Sequence, residues 1–203
     1  MAGTETTLAN LAFRMIREDP ITSIDDPDDA RALEAKDLWQ NMVRGEVLRS
    51  ADWNSVRKQE DLAGITNVRS TEWGYAYQIP SDYIMARRIA SMNVAPYPGR
   101  FEVVWIPYEV MGQTFFTDES SVTLIYTYRE TNPGFYDDLL FGACATRLAA
   151  ELAYSRAGSF KLGDEKMAIY AQKVKEGEGD NQVEGVGGRS LYTPSGILTA
   201  RRF

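Results

Sequence analysis

The apolar residues of this chain change their spacing twice, from helical to alternating and back to helical. Leu8, Leu11, Ala12, Met15 and Ile16 recur at the interval of a helix face, and Pro20 ends the run. From Trp73 to Ile79 the interval becomes two, with Trp73, Tyr75, Tyr77 and Ile79 alternating with Gly74, Ala76 and Gln78. After Asn132-Pro133 the helical interval returns, and Phe141, Ala145, Leu148 and Leu152 form one stripe. A period-two segment cannot present a helix face. The pattern therefore predicts an α+β fold, with helices, then antiparallel β, then helices.

Local signals refine the plan. Asp25 or Asp26 is placed to cap a second helix, with Pro27 in its first turn and Asp28 and Asp29 at its positive end. That helix should run to about Arg49 and bury Ala32, Ala35, Leu38 or Trp39, and Met42, with Gly45 a weak point. Glu102 to Ile106, Tyr108 to Met111, Gln113 to Thr117 and Ser121 to Tyr128 read as strands punctuated by Pro96, Pro98, Gly99, Pro107 and Gly112. Asn132 and Pro133 should start the third helix. Leu139, Ala143, Ala150 and Ala153 widen its apolar face, and Gly158 can cap its end. A last amphipathic helix is expected from Asp164 to Lys175, carrying Met167, Ile169, Tyr170 and Val174. Beyond it, Gly177, Gly179, Gly185, Gly187 and Gly188 predict a flexible tail that begins acidic and ends basic. Its anchors are Arg189, Leu191, Tyr192, Ile197, Leu198, Arg201 and Arg202. The expected organisation is helical over 1–61, an inserted β subdomain over 62–130, helical again over 131–176, and a partner-docking tail over 177–203. The two helical parts would pack as one bundle.

Composition narrows the chemistry. The 203 residues include no histidine and one cysteine, at a net charge of −7. No histidine-based relay or ligand set is possible, and Cys144, in an apolar helical stretch, has no disulfide partner and reads as core. An acidic surface disfavours tight gripping of DNA, although it lets a polyanion slide past. Gly185-Val186-Gly187-Gly188-Arg189-Ser190 lacks the spacing and the lysine of a phosphate loop. Asp25, Asp26, Asp28 and Asp29 miss the spacing of a calcium loop and are better read as helix-capping residues. Asp137 with Asp138, or Asp118 with Glu119, are adjacent carboxylates that point apart on a helix or turn. No catalytic, cofactor-binding or metal-binding residue is assigned, and no cofactor is expected. The most apolar window, Leu139 to Ala145, is too short to span a bilayer, so a soluble protein without a membrane partner is expected.

Several short sequences occur in a fixed order: Pro20-Ile21-Thr22-Ser23-Ile24-Asp25, Trp53-Asn54-Ser55-Val56-Arg57, and Tyr75-Ala76-Tyr77-Gln78-Ile79-Pro80-Ser81-Asp82. Tyr108-Glu109-Val110, Thr117-Asp118, Leu124-Ile125-Tyr126 and Leu148-Ala149-Ala150-Glu151-Leu152-Ala153 follow. In that order the chain resembles the head-to-tail adaptors of short-tailed phages, the tail tubular protein A family. The resemblance implies a non-enzymatic virion protein of the tail or neck, made in the host cytoplasm. It implies a homo-oligomeric ring, dodecameric in the family, that sits below the portal protein, extends the DNA channel, and carries the tail nozzle and in some cases tail fibres. Arg17 departs from the family, which commonly has glycine there, and this implies a different first interhelix turn.

Other readings of the same residues are a saccharide-binding tail module using aromatics such as Tyr75, Tyr77, Trp105, Tyr126 and Tyr128, and a carboxylate-based glycan hydrolase. A head-completion protein of a long-tailed phage is a further alternative, which the sizeable β insert argues against. Core packing or cross-strand pairing explains the alternating aromatics more simply.

Overall fold

The computed structural model describes residues 3–90, 106–156 and 158–185. Among them the protein is mixed α+β, with four helices and two antiparallel sheets. Helix α1 (Glu5–Met15) opens with a capping box. The Thr4 hydroxyl accepts the Thr7 N–H at 3.1 Å, and the Thr7 hydroxyl accepts the Thr4 N–H at 2.7 Å. It closes in a Schellman turn, with Glu18 N–H on Phe13 O at 3.0 Å and Arg17 N–H on Arg14 O at 3.2 Å. The turn holds Arg17 at φ +63°, a conformation natural to glycine. The next loop is tied back to α1: Asn10 accepts from Ile21 N–H at 2.8 Å and donates to Ile21 O at 3.0 Å, while Ile21 and Ile24 are buried.

The second helix is capped by Asp29, which accepts the Arg31 N–H at 2.8 Å, and not by Asp25 or Asp26. Asp26 instead accepts from Asp28 N–H at 3.0 Å in the turn that precedes the helix, so Pro27 lies outside it. Segment α2 (Ala30–Leu38) runs through a wide turn, Trp39–Val43, into α3 (Arg44–Ser50), with the Arg44 N–H bonded to Trp39 O. This i to i+5 step inserts an extra residue and rotates everything after it. Ala32, Ala35 and Trp39 are buried before the step, and Val43, Val47 and Leu48 after it. Met42, expected inside, is therefore 37 % exposed.

Asn132 caps only the short turn Pro133–Phe135. Helix α4 (Asp138–Ser155) is capped by Asp137, which accepts the Leu140 N–H at 2.7 Å. Leu140, Cys144, Leu148, Ala149 and Leu152 are all inaccessible, because α1, α2, α3 and α5 each pack on α4. The α5 helix (Phe160–Gly185) extends well past the expected Lys175, so the tail does not begin at 177. Glycine is what lets it pack: a Cβ on Gly163 would stand 2.2 Å from the Tyr154 ring, and one on Gly177 would stand 2.2 Å from Trp53.

The β structure begins at Arg57, ahead of the expected boundary near 62. Strands β1 (Arg57–Asp61), β7 (Thr123–Tyr128) and β4 (Tyr83–Ala90) form one sheet in the order β1-β7-β4. Strands β2 (Gly64–Ile65), β3 (Tyr75–Gln78), β6 (Thr114–Thr117) and β5 (Tyr108–Met111) form the second, in the order β2-β3-β6-β5. The expected strand from Glu102 to Ile106 falls at 102–105 outside the described residues, and its last residue, Ile106, is not in a strand. Tyr77, Phe115, Leu124, Tyr126 and Ala86 share a core within the β structure, separate from the one that the helices build.

Two arginines lock β4 to the end of α3. Arg87 Nε donates to Thr127 Oγ1 at 2.7 Å, and its guanidinium also reaches the Ala51 carbonyl. In return, Arg49 donates to Ile84 O at 3.0 Å. The Arg87 bond to Ala51 satisfies a carbonyl that the helix end leaves unpaired.

Candidate functional site

A groove of about 780 Å³ opens where α3, β4 and β5 meet. One wall is helical. The wide turn that buries Val43 and Val47 turns Met42, Gly45, Glu46 and Arg49 outward onto the groove. Nothing lies within 4 Å of where a Gly45 side chain would stand, so this wall is open at its centre.

The second wall is β4, the outer strand of its sheet among the described residues. Its register against β7 shifts between Tyr83 and Met85 and again between Ala86 and Arg88. The Tyr83 hydroxyl accepts the Ala86 N–H at 2.8 Å and pins that irregularity. Ile84 goes to the helical core and Ala86 to the core of the β structure, while Met85 is left 37 % exposed.

The third wall is β5, the outer strand of the other sheet among the described residues. Gly112, at φ +58°, starts the two-residue turn that folds β5 back onto β6. Tyr108 stacks on Phe115 at 5.0 Å, and Val110 lies opposite Phe115 in the register. Both are more than a third exposed and face the groove. Met42, Met85, Tyr108 and Val110 thus add soft, apolar side chains to a lining that is otherwise largely polar, with Gln40 and Asn41 beside them. Arg49, Glu46 and Arg129 provide its charges. Such a surface can hold an extended peptide through backbone pairing and side-chain burial.

Below it, a polar cluster fixes β1, β7 and the start of β4. The Tyr126 oxygen lies 3.0 Å from Glu60 and 2.9 Å from Asp82, and Lys58 Nζ lies 3.0 Å from Asp82 and 3.3 Å from Glu60. Burial pushes the Tyr126 phenol up, and the two carboxylates that accept from it push it further. Burial also pushes the Asp82 carboxyl up, but Lys58 and Tyr126 outweigh it and hold the group below its ordinary range. Lys58 is raised by Asp82 first and Glu60 second. The cluster is a brace at the surface, where Lys58 and Glu60 stay more than a third exposed.

The residues singled out in the sequence are distributed as follows. Arg189, Leu191, Tyr192, Ile197, Leu198, Arg201 and Arg202 lie outside the described residues, as does Trp105. Tyr77 and Tyr126 are buried in the β core, Tyr128 is partly buried against it, and Tyr75 is 44 % exposed. Asp137 caps α4 and accepts from the Ser55 hydroxyl at 2.7 Å, and Asp118 accepts from Gly74 N–H at 2.8 Å. Asp29 pairs with Arg31, and Asp25 with Lys36. Cys144 is fully buried, which drives its thiol pKa well up. No helix among the described residues is long and apolar enough to cross a membrane. Sequence periodicity missed the groove. Helical spacing puts Met42 in the core, and nothing in the alternation around Met85 marks it as exposed.

The chain matches no protein-family model, and no curated protein matches it.

Proposed function

We propose that this chain is a structural virion protein, a head-to-tail adaptor of the short-tailed phage type that works through contacts with copies of itself and with other virion components. In this reading the helical segments form one bundle that contacts neighbouring subunits and the portal. The β structure is an insert facing the distal tail, where the nozzle and any fibres attach, and the ring encloses DNA without reading its sequence.

One observation carries the reading: the sequences that resemble the adaptors fall on the joints of the fold. Ile21 and Ile24 are buried under the first interhelix loop, and Trp53 is buried at the foot of β1. Asp82 braces Tyr126 at the start of β4, and Leu148 and Leu152 fill the centre of the helical core. Residues that serve architecture suit a part whose work is shape. The exposed groove is a surface suited to assembly contacts. Heterologous contacts of this kind close into a ring when the rotation per subunit divides a full turn.

Electron microscopy of the purified protein mixed with portal rings tests the proposal. Rings stacked on the portal are expected, and particles that stay separate under all mixing conditions overturn it.

A further inference from the structure

We infer that residues 66–74, between β2 and β3, form a strap that lifts as one body from the outer face of the second sheet, where the Glu109 carboxylate latches it. The inference is independent of the adaptor reading. The register sets Ile65, Ala76, Phe116 and Glu109 side by side across the four strands, so they share one face. Tyr77 and Phe115, one position along, take the opposite face into the core of the β structure. Phe116 and Ala76 belong to neither core, and yet they are 2 % and 3 % exposed. The Arg69 guanidinium of the strap lies 5.3 Å over the Phe116 ring.

Two sets of bonds hold the strap. The first is internal. Asn67 Oδ1 accepts the Arg69 N–H at 2.9 Å, and Asn67 Nδ2 donates to Trp73 O at 2.6 Å. The Glu72 and Trp73 N–H groups donate to Arg69 O at 3.0 and 3.1 Å. A turn closed in this way keeps its shape without help from the sheet. The second set is the attachment. Glu109 pairs with Arg69 at 2.9 Å and accepts from Trp73 Nε1 at 3.1 Å. Asp118 accepts the Gly74 N–H at 2.8 Å at the end of the strap, where the chain hinges into β3.

The attachment is electrostatic. No strap residue is buried; Val68 is 83 % exposed, and only Asn67, Arg69 and Trp73 are partly covered. Arg69 Nη1 is shielded from solvent without an aligned hydrogen bond among the described residues, so charge holds it to Glu109. Glu109 is 40 % exposed and open to water and salt. A body with its own internal bonds, latched by one surface carboxylate, opens more easily than the sheet beneath it. Lifting it adds Phe116 and Ala76 to Ile65 and Met111, which are already exposed on that face, and makes one apolar patch.

Thiol labelling of full-length Ala76→Cys tests this, with the fully buried Cys144 reporting any global unfolding in the same chain. Adding Glu109→Gln or, separately, Arg69→Met should speed labelling at position 76 by about tenfold while Cys144 stays protected. Acrylamide quenching is a second readout that needs no new thiol. Taken as the difference between each full-length protein and its Trp73→Phe counterpart, it should show Trp73 more accessible in Glu109→Gln than in the wild type. Labelling at position 76 unchanged by both substitutions, labelling that rises only together with that of Cys144, or equal quenching of Trp73 in the two proteins overturns the inference.

Discussion

The buried indole of Trp53 occupies the space that a side chain at Gly177 would need: a Cβ there would stand 2.2 Å from Trp53 Cζ3. Trp53 cannot simply yield, because its Nε1 donates to Val47 O at 2.9 Å inside a fully buried site. Two glycines of one helix thus have opposite meanings, since nothing lies within 4 Å of a Cβ at Gly179. Gly177→Ala should destabilise the protein by about 1–3 kcal/mol through overpacking. Gly179→Ala should stabilise it by about 0.5–1 kcal/mol through helix propensity. Urea unfolding of both variants measures the contrast.

Arg17 occupies the left-handed position of a Schellman turn, at φ +63°. A side chain there costs roughly 1–2 kcal/mol relative to glycine. Arg17→Gly should therefore raise stability by about 1 kcal/mol once the added freedom of the unfolded chain is subtracted. Thermal denaturation checks it, and a lower melting temperature contradicts the assignment.

Arg87 joins the sheet to the helix end through Thr127 and the Ala51 carbonyl. Burial depresses its pKa, so the guanidinium is held by these acceptors against a desolvation cost. Arg87→Met keeps the stem but strands the acceptors, and should cost about 1–3 kcal/mol. Hydrogen exchange should accelerate first at the α3 end and along β4, where the two parts meet.

The Asp82 carboxyl is held below its ordinary range by Lys58 and Tyr126 despite partial burial. A folded pKa below the unfolded value, about 3.9, means that the unfolded chain binds more protons in the interval between the two. The stability from this group is fully present above the unfolded value and is lost as pH falls through the folded one. Asp82→Asn should flatten the dependence of urea midpoint on pH between about pH 4 and the acid limit. A slope equal to that of the wild type would show that the brace carries no linkage.

Much of the fold was legible because the responsible signals are local. The Leu8 to Ile16 stripe, the Tyr75 to Gln78 alternation and the alanine-rich face of α4 each report their own element. The caps were less legible: Asp29 rather than Asp25 or Asp26 starts the second helix, and Asp137 rather than Asn132 starts α4. Several adjacent residues can each accept the same kind of bond, and the chain path chooses among them. The strand β1 is not legible in the sequence because Arg57-Lys58-Gln59-Glu60-Asp61 is polar throughout and becomes a strand only by pairing with β7. Gly177 and Gly179 read as signs of a loose tail because a sequence does not show whether the absent Cβ leaves freedom or makes room.

The order of helix and strand, the apolar faces and the lack of histidine chemistry belong to the sequence, since periodicity and composition are properties of the chain alone. The groove does not. Met42 comes to the surface because one extra residue in the Trp39–Val43 turn rotates the helix there, and Met85 meets Tyr108 and Val110 only after two sheets place β4 and β5 beside that helix. Proximity between residues some 25 to 70 positions apart arises from packing, and only the folded chain could decide it.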